Sequence, residues 1–152
     1  MKNFEFPQKD MQYQAPTLFI GIFYAFLLVW TSICLLLIRS MSTSAGWPLA
    51  LMVMVVFVMI YTWYFSLGIS HKIGLARGGE IELTSFRKVI RINAAEIALV
   101  EGPKLVVIPY GFIRFRLDRE KAYLFSCITD EALQQILKAM RTINRHIRFK
   151  GL

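Results

Sequence analysis

Cysteine and histidine are scarce in this chain of 152 residues, which contains two of each. Cys34 lies within an apolar run and Cys127 near the end of a predicted strand, so the pair does not suggest a disulfide framework. Neither His71 nor His146 has a second ligand at the spacing that zinc sites use. The sequence therefore predicts no metal site and no fold that depends on disulfides.

The motifs of catalysis and phosphate binding are also missing. Arg77-Gly78-Gly79 contains two glycines but is not followed by a predicted helix, as a phosphate-binding loop would be. No order of Ser, His and Asp along the chain suggests a nucleophile with its base. We therefore predict no catalytic residue, no cofactor-binding residue and no cofactor, and we do not expect an enzyme.

Charge is absent from two long stretches, residues 18–38 and 47–69. A helix rises about 1.5 Å per residue, so each stretch spans about 30–35 Å, the thickness of a hydrocarbon core. In lipid only helices and closed barrels satisfy every backbone group, and barrel strands would alternate in polarity, which these stretches do not. The sequence predicts a transmembrane helical hairpin over residues 17–70, with helices at about 17–39 and 47–70.

Other interpretations of the apolar stretches remain open. They are compatible with two buried helices of a soluble protein, although a core helix rarely stays uncharged for more than about twenty residues. The first stretch is longer than the apolar region of a signal peptide and ends at Arg39, which favours a retained anchor. Neither stretch carries an acidic residue, so a transporter or proton channel is not favoured. Cys34 is interpreted as a small apolar residue and not as a redox centre.

The distribution of basic residues predicts an orientation for the hairpin. Lys2 and Lys9 precede the first helix, and Lys72 and Arg77 follow the second, whereas the short connection between the helices carries only Arg39. Loops with more Lys and Arg stay in the cytoplasm, so both termini are predicted to be cytoplasmic.

Outside the hairpin the pattern changes to that of a β protein. Residues 1–16 are polar and contain two prolines, and we predict a short, loosely ordered arm. From Glu80 onward polar and apolar residues alternate, which is typical of half-buried strands. The turns are short, so we predict an antiparallel meander. Its predicted strands are 80–84, 87–92, 96–101, 104–108, 112–117 and 121–126, with 72–77 as a candidate seventh.

The last predicted element is a helix over about residues 130–144. Thr129 is the expected N-cap. A single apolar stripe must be buried, and the inner face of the sheet is the nearest apolar surface. The stripe consists of Leu133, Ile136, Leu137, Met140 and Ile143. Residues 71–152 are thus predicted to form a small antiparallel β domain that is capped by a C-terminal helix.

Two segments of this domain resemble a known family. Glu80–Val100 reads EIELTSFRKVIRINAAEIALV, and Phe115–Met140 reads FRLDREKAYLFSCITDEALQQILKAM. They resemble the strand pairs and the final hairpin and helix of bacterial pleckstrin-homology-like (PH-like) domains, over about residues 71–145. The resemblance implies a binding or assembly module placed directly after two helices in the bacterial inner membrane, with no catalytic residue set.

Basic residues are the main indication of function. The chain has a formal net charge of +8, and from His71 onward it contains 15 Lys and Arg against 8 Asp and Glu. Each basic residue close to an anionic membrane surface contributes about 1 kcal/mol to binding. A merely solvated face is the alternative, and nucleic acid is not favoured because no aromatic platform accompanies the charges. The candidate contacts to anionic lipid or to a partner are Lys72, Arg77, Arg87, Lys88, Arg91, Arg114 and Arg116.

Three hypotheses of function follow. The favoured one is a non-catalytic, membrane-anchored interaction and assembly module, an accessory subunit that binds other membrane-protein subunits or a second copy of itself. The second is a binder of anionic lipid headgroups, or a sensor of the membrane surface, that uses its basic residues. The third is a subunit of an enzyme or transporter whose active site another chain completes.

Overall fold

A computed structural model describes residues 9–43, 46, 48–104 and 107–152, and predicted features at residues 1–8, 44–45, 47 and 105–106 lie outside this description. The described residues form three α-helices and eight strands. The helices are α1 (Thr17–Thr43), α2 (Leu49–Leu67) and α3 (Glu131–Ile143). The strands are β1 (Lys9–Gln14), β2 (Ser70–Ala76), β3 (Glu80–Ser85), β4 (Val89–Asn93), β5 (Ile97–Glu101), β6 (Tyr110–Leu117), β7 (Lys121–Cys127) and β8 (Arg148–Lys150).

The chain divides into two compact units. Thr17–Leu67, with α1 and α2, forms the helical unit. The described residues up to Pro16 join Gly68–Leu152 in the second, which we call the β unit. Two apolar helices and a C-terminal helix after a set of strands were predicted from the sequence, and these features are confirmed.

Both helices of the helical unit are long and apolar enough to cross a membrane. The first has 27 residues and continues past its predicted end at Arg39, and the second has 19. Buried residues of α1 recur every seven positions at Ile20, Leu27 and Cys34, so they lie on one face of the helix. Large apolar side chains cover much of the remaining surface of both helices.

Hydrogen bonds between polar side chains connect α1 to α2. The Trp63 indole N–H donates to the Thr31 hydroxyl oxygen over 2.7 Å, and that hydroxyl donates to the Leu27 carbonyl over 2.8 Å. The Tyr24 hydroxyl donates to the Ser66 carbonyl over 3.0 Å. These bonds place the first half of α1 beside the end of α2, so the helices are antiparallel neighbours.

Replacing Thr31 with valine is expected to weaken the helix pair. Thr31→Val keeps the shape of the side chain but removes the acceptor of the Trp63 N–H. Hydrogen bonds between helices in apolar surroundings contribute on average about 0.6 and at most about 1.7 kcal/mol. Unfolding of the full chain from mild detergent by added SDS, followed by tryptophan fluorescence, measures the change. Thr62→Val is the matched control, because the Thr62 hydroxyl donates to the Val58 carbonyl of its own helix. An equal effect of the two substitutions would contradict a stabilising role of the hydrogen bond between Trp63 and Thr31.

The sheet of the β unit is mixed. Its order is β4-β3-β2-β7-β6-β5-β8, and β1 also pairs with β2. Within the set β2 to β4 and within the set β5 to β7, consecutive strands pair antiparallel, as predicted. The purely antiparallel meander is nevertheless wrong, because β2 runs parallel to β7 and β5 runs parallel to β8. After β7 the chain passes through α3, and this connection returns it to the edge of β5 in the parallel direction.

The N-terminal arm differs from its prediction. Its described part forms β1, which pairs antiparallel with β2 from Lys72 to Ala76. Tyr13 is only 2% exposed, and its hydroxyl oxygen accepts the backbone N–H of Cys127 over 2.9 Å. Burial raises the pKa of Tyr13 to about 12, so the phenol stays protonated at neutral pH. The described part of the arm therefore contributes to the core of the β unit.

The strand predicted at residues 104–108 does not form at its described positions. Lys104 lies in a bend, and the chain turns at Val107 and Ile108, while residues 105–106 lie outside the description. The segment is bounded by Pro103 and Pro109, which have no backbone N–H to donate to a sheet. Val107 is 91% exposed and Ile108 is 51% exposed, so both of these apolar side chains lie at the surface.

Helix α3 begins one residue later than its predicted N-cap implies. Asp130, not Thr129, is the N-cap, since its carboxylate accepts the backbone N–H groups of Ala132 and Leu133 over 2.8 and 3.4 Å. The helix packs beside β1. Of the predicted stripe, Ile143 remains largely exposed. The largest fully buried side chains of the unit are Ile73, Ile81, Leu83, Ile97, Val100, Ile113, Phe115, Leu124, Phe125, Leu133, Ile136 and Met140.

Candidate functional site

The structure divides the predicted basic residues between two halves of the sheet. Arg114 and Arg116 lie on β6. The other five lie on β2 and β4 or in the turns next to them, and they are Lys72, Arg77, Arg87, Lys88 and Arg91. The seven residues therefore do not form one patch.

A row of basic side chains crosses the half of the sheet that contains β6. Arg116 is opposite Lys121 on β7 and Leu99 on β5, and Leu99 is opposite Arg148 on β8. Directly opposed residues of neighbouring strands point to the same face of a sheet. The side chains of this row therefore project together from the outer face.

The next outward row repeats the pattern. Arg114 is opposite Tyr123 and Glu101, and Glu101 is opposite Lys150. We call the basic side chains of both rows the basic face, and its members are Lys121, Arg116, Arg148, Arg114 and Lys150. The sequence prediction contained only two of them. The others are separated by long stretches of chain, and only the basic composition of the C-terminal tail could have indicated Arg148 and Lys150.

Most of the charge on the basic face is not neutralised within the protein. The Arg114 guanidinium forms an ion pair with the Glu101 carboxylate. Within the described residues, Arg116, Arg148 and Lys150 form no ion pair. Since cations that share one face reinforce each other's potential, the electrostatic potential at this face is positive.

The surface around the basic face contains two adjoining depressions that differ in charge and polarity. A groove of about 810 Å³ runs along β5 and β8 and includes Arg116 and Arg148, with Glu96 and Asp118 at one end. A second depression of about 380 Å³ adjoins it at Glu101. This depression is lined by apolar side chains that include Ile108, Tyr110 and Phe112. The outer face thus changes from acidic through basic to apolar along the strands.

The face formed by β2, β3 and β4 is less basic. Arg91 forms an ion pair with Glu82 over 3.2 Å, so its charge is balanced locally. Lys72 lies in a shallow groove of about 280 Å³ beside Gln12 and Glu82. Arg77 lies at the far end of β2, in the turn to β3. These residues do not reproduce the concentration of charge found on the basic face.

Arg87 and Lys88 lie in the turn between β3 and β4, not in a strand as predicted. We call Phe86–Val89 the basic turn. Lys88 donates its backbone N–H to the Ser85 hydroxyl over 3.0 Å, and that hydroxyl donates to the Lys88 carbonyl over 2.7 Å. These bonds fix the turn and leave its four side chains exposed.

The Phe86 ring of the basic turn stacks on the imidazole of His71. The ring centroids are 4.5 Å apart and the planes differ by 21°. Burial lowers the pKa of His71, and the positive charge of Lys72 lowers it further, so the imidazole is neutral at neutral pH. His71 therefore supports the turn as an uncharged ring and adds no charge to it.

Within the described residues, no group of three His, Cys, Asp or Glu side chains is arranged to hold a metal ion. Comparisons of this chain with protein-family models, with curated proteins and with solved structures found no match. The basic face, the basic turn and the two apolar helices are thus the features from which function is inferred.

Proposed function

We propose that this chain is a non-catalytic, membrane-anchored interaction module that acts as an accessory subunit of a larger complex in a bacterial inner membrane. In this proposal α1 and α2 cross the membrane as a hairpin, and the β unit and both termini are cytoplasmic. The basic face carries the proposal, because it combines five cations from three strands with a single paired carboxylate.

The surface of the helical unit supports membrane insertion. Leu18 and Phe26 are each 72% exposed, and many other large apolar side chains of both helices are also exposed. Exposed apolar area is unfavourable in water by about 25 cal/mol per Å², whereas it is the normal surface of a helix in lipid. The hydrogen bonds of Tyr24 and Trp63 satisfy polar groups that lipid would leave without partners.

The order of elements supports a PH-like β unit. Six strands, β2 to β7, are followed directly by α3, which is the order that the resemblance implies. In this proposal β1 and β8 are additions to the PH-like set. Both lie beside the proposed set, and β8 contributes two cations to the basic face.

The chemistry of the outer face favours an acidic segment of another subunit as the partner. Carboxylates of such a segment would pair with Arg116, Arg148 and Lys150, and apolar side chains at one end would fit the depression beside Phe112. Electrostatic complementarity of this kind provides specificity and fast association.

Charge reversal tests the proposal. The full chain, tagged at its N-terminus, is purified from native membranes in mild detergent, and partners are quantified by mass spectrometry. Arg116→Glu with Arg148→Glu is expected to lower partner recovery at least about tenfold, which corresponds to about 1.4 kcal/mol. Lys72→Glu with Arg77→Glu is the matched control, because it changes the net charge equally on the other half of the sheet. Equal recovery with the two variants, or a chain that recovers no partner, would refute the proposal.

Anionic lipid headgroups are the second candidate for the basic face. The proximity of any membrane-anchored domain to the headgroups favours them. Amide hydrogen exchange of β5 and β8 in lipid nanodiscs separates the candidates. Protection that appears with anionic lipid and not with neutral lipid would favour headgroups, whereas protection that requires the co-purified partner would favour the acidic segment.

A further inference from the structure

We propose that the basic turn is an anchor in the membrane interface, where Phe86 and Val89 enter the headgroup region and Arg87 and Lys88 bind the phosphates of anionic lipids. This inference rests on the proposed membrane insertion of α1 and α2. It concerns a different surface from the basic face, and it holds whichever partner the basic face binds.

The first step is the position at which the chain leaves the β unit. Two residues, Gly68 and Ile69, separate the end of α2 from the start of β2, and two residues separate the end of β1 from the start of α1. Ala15 donates its backbone N–H to the His71 carbonyl over 2.8 Å. Both connections to the helical unit therefore emerge at the same end of β2.

The second step is that the basic turn lies at this same end. Ser70 at the start of β2 is paired with Ser85 at the end of β3, and neighbouring strands are about 4.7–4.9 Å apart. Phe86 follows Ser85 and stacks on His71 at 4.5 Å. Ser70 comes three residues after Leu67, the last residue of α2, and three extended residues span at most about 10 Å. If Leu67 is the last residue of a membrane helix, the start of β2 and the turn beside it lie close to the interface.

The third step is the chemistry of the turn. Phe86 is 58% exposed and Val89 is 53% exposed, and Arg87 and Lys88 between them are also exposed. At membrane interfaces, apolar side chains such as Phe enter the boundary between headgroups and acyl chains, whereas Arg and Lys keep their charged ends among the headgroups. The hydrogen bonds of Ser85 hold the turn in one conformation, so the four side chains are presented without further ordering of the backbone.

The opposite end of the same strands provides a natural control. Arg77 lies in the turn between β2 and β3, which is completed by Gly78 and Gly79. A strand of seven residues is about 20 Å long, so this turn is far from the points where the chain enters the helical unit. Arg77 and Gly78 are exposed, so this turn is basic, but it carries no apolar side chain.

Depth measurements on the full chain test the anchor. Single cysteines are introduced by Val89→Cys, Arg77→Cys or Leu28→Cys, labelled with a nitroxide, and studied in vesicles that contain anionic lipid. Cys34 and Cys127 remain in place because both are buried, and the chain without an added cysteine measures background labelling. Collisions with oxygen and with a water-soluble nickel chelate should place the label at 89 in the headgroup region, the label at 77 in water and the label at 28 in hydrocarbon.

A second arm tests the ionic contribution. In the chain labelled at 89, Arg87→Glu with Lys88→Glu is expected to raise collisions with the nickel chelate at least about threefold in anionic vesicles, and Arg77→Glu is expected to leave them unchanged. The difference should be much smaller in vesicles of neutral lipid. An equal response in both lipids, or no response, would overturn the binding of Arg87 and Lys88 to anionic lipids.

The failure of the anchor can be told apart from the failure of the proposed function. If the label at 89 is as accessible to the chelate as the label at 77, while the label at 28 lies in hydrocarbon, the anchor is overturned and the membrane hairpin stands. If the label at 28 is itself in water, membrane insertion fails and the anchor fails with it.

Discussion

Tyr13→Ala is expected to lower the free energy of unfolding of the β unit by about 3–5 kcal/mol, the usual cost of truncating a buried aromatic side chain to alanine. Tyr13 is 2% exposed, and its hydroxyl oxygen accepts the backbone N–H of Cys127. The substitution would leave a cavity between β1 and the rest of the unit and a buried donor without its acceptor. A loss of this size is a large fraction of the stability of an ordinary domain.

The thiol of Cys127 is a convenient reporter for this prediction. It is 8% exposed and lies next to the hydrogen bond that Tyr13 makes. In a Cys34→Ser background, the rate of maleimide labelling of the full chain in detergent is measured at increasing urea concentration. Gln14→Ala is the control, because Gln14 is the next residue of β1 and is exposed. The same urea midpoint for both variants would show that β1 does not contribute to the core.

Tyr13 also determines which fragments are suitable for experiments. A fragment that contains only residues 71–152 lacks β1 and exposes the core surface that Tyr13 covers. Binding experiments therefore need the full chain, and an unstable fragment would say nothing about the basic face.

Gly102→Ala is expected to cost about 1–3 kcal/mol, the usual effect of inserting a methyl group into a filled space. A Cβ atom at Gly102 would collide with the Gly151 carbonyl oxygen, and it would lie 3.0 Å from the Gly151 carbonyl carbon and 2.9 Å from Leu152 Cγ. The nearest obstacle is backbone, so the last residues of the chain must move. Gly102 also donates its backbone N–H to the Lys150 carbonyl over 2.8 Å.

Displacement of β8 should impair the basic face without removing any charge. We expect faster amide hydrogen exchange in β8 and, in the co-purification experiment, a loss of partner comparable to that caused by charge reversal. Gly78→Ala is the control, because a Cβ atom there has no neighbour within 4 Å among the described residues. A normal rate of amide hydrogen exchange in β8 of Gly102→Ala would contradict the close approach of Gly102 to Gly151. Normal partner recovery by a variant in which β8 is displaced would show that Arg148 and Lys150 are not needed for partner binding.

Local patterns were sufficient for most individual elements. The uncharged stretches predicted α1 and α2, and the alternation in Glu80–Thr84 and in residues 112–117 predicted β3 and β6. The helix predictions succeeded because the length and the lack of charge of a stretch are local properties of the sequence. The strand predictions succeeded because the buried side of a strand is encoded in the alternation of neighbouring residues. The strand predicted at residues 104–108 failed at its described positions because flanking prolines outweighed an apolar run.

The candidate site was predicted only in part, because most of its residues come from strands that are distant in the sequence. Arg114 and Arg116 were recognised because they alternate on one strand. Lys121, Arg148 and Lys150 join them through pairings between β7, β6, β5 and β8, and no local signal reports which strands become neighbours.

For this protein, the sequence alone determined that two helices with long uncharged stretches precede a strand-rich, basic segment with an amphipathic helix near its end. Only the tertiary structure decided that β1 contributes to the core, that the tail adds a strand, and that five cations share one face. The physical reason is that the spacing of side chains along a strand specifies its buried side, whereas its partner is selected by packing and backbone hydrogen bonds between segments far apart in the chain.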